Sequence, residues 1–519
     1  MKGIYFVLVM LISAQIFSQT KFKDPDDLVT RGVKYYENGN YSKAISLFDE
    51  VNKNDSLYPV AMYEKSMCLH AQEKIDEAVV LLEDIINTYH YKTLRSMVML
   101  ASLYDEQERY DEAQEIYEGL VAEHPYSQNA WYNLGVSYFL SEDYELAEQA
   151  FIKSILLKPW HPRSSIFLGL LNSLMNRPVH AIACINVAAW LNADNELGMA
   201  AVRELESVCE GAYDDEIVKD IECPDSITSD KIQELEPIIS SHVITNKKLK
   251  MPTKNDYSFT KYNYVVFSEL DDEFPNSNIY TSFYFPLVKS IYNEEYFDEY
   301  SYYILQNFNL SDVQKYVKKK KTKLIIFQKW SIRQFAHYIY ETGFFHPKNV
   351  HYEYKDGEIY SIYTYSDSTK EILDGEYMTF HNTGVISSRG KYENDIPVEK
   401  AYVYDDEGKM IMEVEYEGNE DEDGLFKAYF ENGELSHEIE IKDNVKNGYY
   451  KEYYPNGNLE SNYYYKNDRF TGNGYELTIF GDTASILSEC KEDTSLYQIR
   501  QYYSSGQLLK TQIRTKADA

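Results

Sequence analysis

Eleven histidines, five cysteines and 84 acidic residues are the groups from which chemistry could be built in this 519-residue chain. No local signature organises them: there is no Gly-x-x-x-x-Gly-Lys-Ser/Thr phosphate loop, no Gly-x-Ser-x-Gly elbow and no His-Glu-x-x-His pair. His337, His346 and His351 form the nearest histidine group, and loop or surface positions are the expectation for them, because a metal centre needs convergence in space as well as in sequence. In so acidic a chain carboxylates neighbour one another by chance, so no acid/base dyad is singled out. One segment starts like a calcium loop, with oxygen side chains from Asn419, Asp421 and Asp423 at loop positions 1, 3 and 5 and Gly424 at position 6. The twelfth position, however, is Phe430, with Glu431 one residue late, and the segment lies between strand-like runs. It reads as a solvated acidic loop with a weak calcium candidate. The expectation is a non-enzymatic chain without a cofactor.

The cysteines Cys68, Cys184, Cys209, Cys223 and Cys490 include no Cys-x-x-Cys pair and make no disulfide framework. Cys68 and Cys184 fall in helical patterns as small core residues, while Cys209 and Cys223 flank an acidic loop and could bridge. The side chains leave a net charge of −33, and the lysine cluster Lys315, Lys318, Lys319, Lys320, Lys321 and Lys323 stands alone. Such a field repels polyanions, which argues against a nucleic-acid partner. With 44% hydrophobic and 15% aromatic residues, disorder is disfavoured as well. At the start, Lys2 precedes the apolar run from Ile4 to Ile12 and the small-residue stretch around Ser13 and Ala14, the pattern of a secretory signal peptide over residues 1–18. Cleavage is expected after Ser18, with Ala14 as the alternative. No cysteine nearby could carry a lipid, and no later apolar run is long enough to span a bilayer, so the expected product is exported and soluble, periplasmic or extracellular.

Two periods organise the rest. Ala44, Ala78, Ala113, Ala147 and Ala181 are spaced 34, 35, 34 and 34 residues apart, mostly after a phrase such as Tyr110-Asp-Glu-Ala113 or Tyr144-Glu-Leu-Ala147. The fourth unit adds Trp131, Leu134, Gly135, Tyr138, Phe151 and Pro159. Each unit reads as a helical hairpin: Gly32, Gly135 and Gly169 let helices approach, and Phe48, Leu82, Tyr117, Phe151 and Ile185 fill the space between neighbours. Over about residues 25–195 this stretch resembles the tetratricopeptide repeat family, and the amphipathic segment from Leu197 to Val208 suits a closing helix.

The second period is about 24. Gly384, Gly408, Gly433, Gly457, Gly481 and Gly506 follow it, with an aromatic four residues earlier in five of the six, as in Tyr429-Phe-Glu-Asn-Gly433 and Tyr453-Tyr-Pro-Asn-Gly457. Asn-Gly between strand-like runs predicts a two-residue hairpin turn in which both central residues take positive φ. Gly375, Gly424, Gly448 and Gly472 open several units. The array, about residues 350–512, is similar to the MORN repeat variant of proteins labelled YwqK-type antitoxins, with a degenerate copy at Phe480-Gly-Asp. An antitoxin role, which that resemblance implies, conflicts with the signal peptide. Residues 351–519 hold 17 basic and 34 acidic side chains, a net −17 that disfavours the anionic-lipid binding suggested for some MORN proteins.

The expected fold is therefore α+β and multidomain: a signal peptide at 1–18, an α-solenoid of helical hairpins at 25–210, an acidic connector at 211–256 with a short helix near Lys231 to Ile239, a helical or mixed middle domain at 257–349 bridging the arrays, and an antiparallel β-repeat meander at 350–512. In tetratricopeptide proteins the groove is lined from set positions of each first helix. Mapped by the register above, these include Val29, Val33 and Tyr36, then Tyr63, Met67 and His70, then Asn129, Tyr132, Val136 and Phe139, then Arg163. Val29 and Val33 stand where carboxylate-clamping members place Asn and Lys, so the groove suits an extended segment or amphipathic helix. The resemblance implies a scaffold or adaptor with a protein or peptide partner at Tyr36, Tyr63, His70, Asn129, Tyr132, Phe139 and Arg163. Aromatics such as these can also simply pack between helices. Tyrosine-lined sheet faces can stack on sugars, which makes carbohydrate a second ligand class for the β array.

Overall fold

The computed structural model describes residues 24–91, 93–210, 230–240, 250–275, 277–355, 358–419, 423–430, 432–489, 496–502, 505 and 507–515. The signal-peptide stretch, Cys223, Asp421, Cys490 and Gly506 lie outside the described residues. Two compact units divide the chain, residues 1–120 and 121–519.

Five helical hairpins follow one another: α1 (Pro25–Glu37) with α2 (Tyr41–Phe48), α3 (Tyr58–His70) with α4 (Ile75–Thr88), α5 (Leu94–Glu106) with α6 (Tyr110–Glu123), α7 (Gln128–Leu140) with α8 (Tyr144–Leu157), and α9 (Pro162–Leu174) with α10 (Pro178–Leu191). Thr93, Ser127 and His161 cap α5, α7 and α9 by accepting the backbone N–H three residues on, so local chemistry fixes where these helices begin. The turn inside every hairpin places one residue at positive φ: Gly39, Glu73, Glu108, Glu142 and Asn176, with φ between 55° and 72°. The following amide closes a six-residue turn onto the helix, as Asp143 N does on Tyr138 O and Arg177 N on Asn172 O. Only the first hairpin uses glycine there.

All five repeat alanines are fully buried, and so, within 1%, are Phe48, Leu82, Tyr117, Phe151 and Ile185. Glycine and large residue meet pairwise as the spacing predicts. A Cβ on Gly135 would stand 2.7 Å from the Phe151 ring, and Gly32 with Phe48 and Gly169 with Ile185 repeat the arrangement. The alanine and glycine let two helices close until the large side chain of the second is in contact on all sides.

In the second unit α10 is buried from Val179 through Trp190, twelve consecutive residues. Its sequence is apolar all round, which suits only a helix enclosed on every face. The enclosure comes from α11 (Glu196–Glu210), α12 (Asp230–Ser240), α13 (Ser258–Glu269), a π-helical turn at Tyr280–Tyr284 running into α14 (Phe285–Asn293), α15 (Phe297–Tyr303) and, beyond α16 (Ser311–Lys319), which packs on its two neighbours, α17 (Lys321–Ala336). Among the described residues from Ser258 to Glu341 there are helices and connecting turns but no strand. Most buried polar atoms in α9 and α10 find partners in this layer, Asn172 Oδ1 and His180 Nε2 being exceptions. Ser165 and Tyr284 share a 2.7 Å hydroxyl contact, Asn172 Nδ2 donates to Tyr280 Oη at 2.8 Å, Asn186 and Asn263 exchange amide bonds at 2.7 and 2.9 Å, and Trp190 Nε1 donates to Ser331 Oγ at 3.0 Å. Burial pushes the hydroxyls of Tyr280, Tyr284 and Tyr300 well above the usual tyrosine range.

Residues from Val350 on form a 14-stranded sheet in strict sequence order, every neighbour antiparallel. The strands are β1 (Val350–Lys355), β2 (Glu358–Tyr365), β3 (Leu373–Phe380), β4 (Ile386–Glu393), β5 (Ile396–Tyr404), β6 (Met410–Tyr416), β7 (Gly424–Tyr429), β8 (Leu435–Lys442), β9 (Val445–Tyr453), β10 (Leu459–Lys466), β11 (Arg469–Leu477), β12 (Thr483–Glu489), β13 (Leu496–Tyr502) and β14 (Leu508–Thr515). The turn chemistry is the reverse of the sequence expectation. Gly433 and Gly457 have positive φ, and at Gly457 the two residues before it do not; the loops hold three residues, closed by Phe430 N to Glu434 O and Tyr454 N to Asn458 O at 2.8 Å. This is a type I turn with a glycine bulge. Two-residue turns with both φ positive occur instead without glycine, at Asn394–Asp395, Asp443–Asn444 and Asn467–Asp468. The asparagine of Asn-Gly serves to join repeats: Asn432 Nδ2 donates to Pro455 O at 2.6 Å and Asn456 Nδ2 to Ile479 O at 3.4 Å, each 23 residues on.

Within the second unit the β array meets the helical hairpins directly. Ile359, Ile362 and Phe380 form a core with Tyr126 and Leu157 against them, Lys158 pairs with Glu358, and the Trp160 ring stands 4.6 Å from Tyr354. At Gly384, with φ +83°, a Cβ would come within 2.9 Å of Ser127 Cα, whereas Gly433, with φ +84°, has open space around it. Gly384→Ala should therefore cost the left-handed penalty of about 1–2 kcal/mol plus the displacement of the 124–127 loop, and Gly433→Ala the first alone. Hydrogen exchange should show β3 and β4 opening more readily in the first variant only; equal protection in the two would contradict this contact.

Candidate partner-binding surface

In the first unit the groove positions carry half-buried rings. Tyr36 lies 5.6 Å from Tyr41, Tyr63 lies 6.5 Å from Tyr91, and His70 Nε2 meets Glu106 Oε1 at 2.8 Å. Burial raises the Tyr63 hydroxyl and the neighbouring Glu64 carboxyl, with Arg95 pulling both back. Cys68 is buried below this face and its thiol is pushed up to about 11, too high for a reactive thiolate at neutral pH. The register also puts exposed Arg95 at this position: it precedes Asn129 by 34 residues, as Asn129 precedes Arg163, so the period alone points to it.

In the second unit two predicted residues are exposed and two are built in. Asn129 and Arg163, at the N-terminal ends of α7 and α9, face solvent. Tyr132 and Phe139 close on Phe167, with centroids 5.9 and 5.5 Å away, and Phe167 stacks in turn on Phe151 at 5.5 Å. Phe167 belongs to the next hairpin and was not among the sequence candidates. The result is an aromatic floor with a polar margin. Such a layout favours a partner that inserts an apolar side chain and keeps its polar groups at the edge.

His161 links floor and margin. Its ring stands 5.1 Å from Tyr132, while Nδ1 accepts from Ser164 N at 3.3 Å as the cap of α9. Burial first, then the charges of Lys158 and Arg163, bring its pKa down to about 4. The neutral ring is the one that can cap.

The remaining chemical candidates do not assemble. Asn419 Nδ2 donates to Asp423 Oδ2 at 2.8 Å, and Asp423 Oδ1 accepts from Asp443 N at 2.6 Å, so the buried Asp423 carboxylate clamps two loops. His337 bonds to Glu341 at 2.7 Å on the surface, His346 is buried flat against Tyr352 at 3.7 Å with Nε2 2.9 Å from Tyr354 Oη, and His351 is exposed on β1. Among the described residues no three His, Cys, Asp or Glu side chains are placed to hold a metal, and no helix is long and apolar enough to cross a membrane.

Comparison with known proteins adds two families. A tetratricopeptide repeat model matches residues 29–86 and 98–158, and a MORN repeat variant model matches residues 422–443 and 446–467. The chain carries both repeat types. Tetratricopeptide arrays are protein-interaction scaffolds, and this one implies a protein partner. Among solved structures, the MamA RS-1 ArsTM double mutant is 18% identical, with 32% of this chain and 93% of that one covered at a TM-score of 0.30. MamA from Desulfovibrio magneticus RS-1, residues 41 to the end, is 16% identical over 37% of this chain and 97% of that one at 0.27. MamA AMB-1 is 19% identical over 32% and 96% at 0.29. No curated protein matches the chain.

Tyr132→Ala should lower stability by about 2–4 kcal/mol, because it opens the aromatic floor, while Asn129→Ala and Arg163→Ala should each stay within about 0.5 kcal/mol of the parent. Denaturant titration followed by tryptophan fluorescence checks this, and an unperturbed Tyr132→Ala would show the ring to be free. A pH effect follows from His161. Its folded pKa of about 4 lies below the 6.5 of an unperturbed histidine, so the unfolded chain binds the extra proton. The stabilisation is complete above pH 6.5 and is lost as pH falls through the folded value. His161→Asn, a cap that does not titrate, should flatten the stability profile between about pH 6.5 and 4.

Proposed function

We propose that the protein is an exported, non-catalytic scaffold that holds a protein or peptide partner on the inner helical face of its tetratricopeptide repeats. The observation that carries the reading is the pairing of a half-buried aromatic floor, Tyr132, Phe139 and Phe167, with the exposed Asn129 and Arg163 beside it. The rings are held by one another before any partner arrives, so little ordering entropy is spent on binding. The polar pair can then select the partner by its backbone or carboxylate groups. The absence of nucleotide-binding, serine-hydrolase and zincin signatures supports a role without catalysis, and the charged-then-apolar start of the chain supports export, with a mature form beginning at Gln19.

A photo-crosslinking residue at Asn129 or Arg163, introduced into the full chain in its native cell, should capture one and the same partner. The same probe at Val80, 66% exposed on α4, is the control. Adducts that are absent, or identical from all three positions, would remove the groove from consideration. Mass measurement of the chain recovered from the envelope fraction tests export separately, through loss of residues 1–18.

A further inference from the structure

The outer part of the β array contains an arrangement that costs stability unless something is bound there. Lys466 and Arg469 flank the two-residue turn Asn467–Asp468 and are directly opposite in register. Like charges so placed repel each other. Neighbouring hairpins avoid the problem: the matching pairs are Glu393 with Ile396 and Lys442 with Val445. The chain has 84 acidic residues to choose from, yet among the described residues neither Lys466 nor Arg469 forms an ion pair. Asp468, between them in sequence, spends Oδ1 on Lys446 N at 2.7 Å.

The cations sit at the end of a hollow on one face of the sheet. Asn462, Tyr464 and Lys466 of β10 and Arg469, Thr471, Asn473 and Tyr475 of β11 line it, across a bulge between Tyr463 and Tyr465. Two adjoining hollows of about 790 and 390 Å³ share Tyr464 and Asn473 in their linings. Tyr449, Tyr464 and Tyr475 are 48%, 38% and 37% exposed, large fractions for tyrosines in the middle of a sheet. Tyr464 is held edge-on to Tyr449 at 5.1 Å, and Asn462 Oδ1 is buried without a hydrogen-bond partner on this same face. The surface thus offers fixed ring faces, amide and hydroxyl groups, and an uncompensated pair of cations.

We infer that this face of β9–β11 binds a saccharide chain that carries carboxylates, with sugar rings on Tyr449, Tyr464 and Tyr475 and an acid group between Lys466 and Arg469. The apolar side of a sugar ring suits an aromatic face, and hydroxyls suit Asn462 and Asn473. Arginine presents two parallel donors to a carboxylate, and the net negative field that repels polyanions is screened beyond about 8 Å at physiological salt, so an acid group seated here meets the two adjacent cations. An acidic peptide would satisfy the cations but leave the tyrosine row unused. The site is independent of the helical groove, so failure of one reading leaves the other standing.

The test is affinity electrophoresis of the full chain in gels containing polygalacturonate, with dextran, poly-glutamate and phosphatidylserine vesicles as comparison probes. Retardation is expected with polygalacturonate alone. Lys466→Ala/Arg469→Ala should weaken it by about tenfold or more, as for loss of charge-assisted hydrogen bonds, without lowering the melting temperature of the free protein. Tyr464→Ala should weaken it comparably, which a purely ionic contact would not show. No retardation by polygalacturonate, equal retardation by dextran or poly-glutamate, vesicle binding lost in the double variant, or retardation unchanged in both variants would each overturn the inference.

Discussion

The second unit depends on the burial of α10. A helix with apolar residues on every face cannot end a solenoid, because one side would remain wet; enclosing it requires a further layer of helices. The polar atoms that α9 and α10 bring with them then set how that layer must lie. An unpaired buried amide or hydroxyl costs about 1–3 kcal/mol, so Asn186 needs Asn263 and Tyr300, Ser165 needs Tyr284, and Asn172 needs Tyr280. Glu236 does the same at the helix start, accepting from Val179 N at 2.8 Å and meeting His180 Nδ1 at 2.9 Å. Apolar contact gives the middle helices their affinity for the repeats, and these directional bonds give them a register.

The β array solves a different problem: how a tyrosine-rich, acidic meander stays in register without a thick core. Its carboxylates are partly structural. Glu452 accepts from Ser461 at 2.8 Å and Tyr450 at 3.0 Å, and one repeat later Glu476 accepts from Ser485 at 2.5 Å and Tyr463 at 2.7 Å. Ser461 and Ser485 are almost fully buried. Charge that composition assigned to solubility is therefore also the acceptor side of a ladder that recurs with the 24-residue period. At the strand ends the stitches from Asn432 and Asn456 bind two successive turns to the ones that follow, adding a second line of side-chain bonds to the carboxylate ladder.

The 34-residue period was legible because alanine, glycine and one large residue are each required by contacts inside a single hairpin. The positions of groove residues followed from the same count. Their environment did not, since the state of Tyr132 and Phe139 depends on Phe167, contributed by the following hairpin. The turn types were misread for a comparable reason. Asn-Gly specifies a two-residue turn only if the strands pair immediately beside it, and here the closing bond from Tyr454 N to Asn458 O lengthens the loop by one residue. Asn467–Asp468 takes the left-handed pair of conformations because asparagine and aspartate tolerate them, a signal present in the sequence but weaker than glycine. The all-round apolar pattern of α10 is a further strong signal in the sequence, and it implies a covering helical layer.

Three consecutive residues show why the groove and the β array in the second unit should not be treated as separate attachments. Trp160 packs on Tyr354 of β1, His161 packs on Tyr132 and caps α9, and Pro162 begins the helix that carries Arg163 outward. The loop before α7 repeats the plan: the Tyr126 ring packs tilted on Phe380 of β3 at 5.2 Å, Ser127 caps the helix and touches the Gly384 turn, and Asn129 follows two residues later. In both places the backbone that seats the sheet also fixes the first turn of a groove-lining helix. Moving Arg163 or Asn129 relative to the aromatic floor requires the loss of a cap, a ring contact with the sheet, or both. The β array accordingly acts on the helical face as a brace, which gives a reason for the two repeat types to share one chain whatever each of them binds.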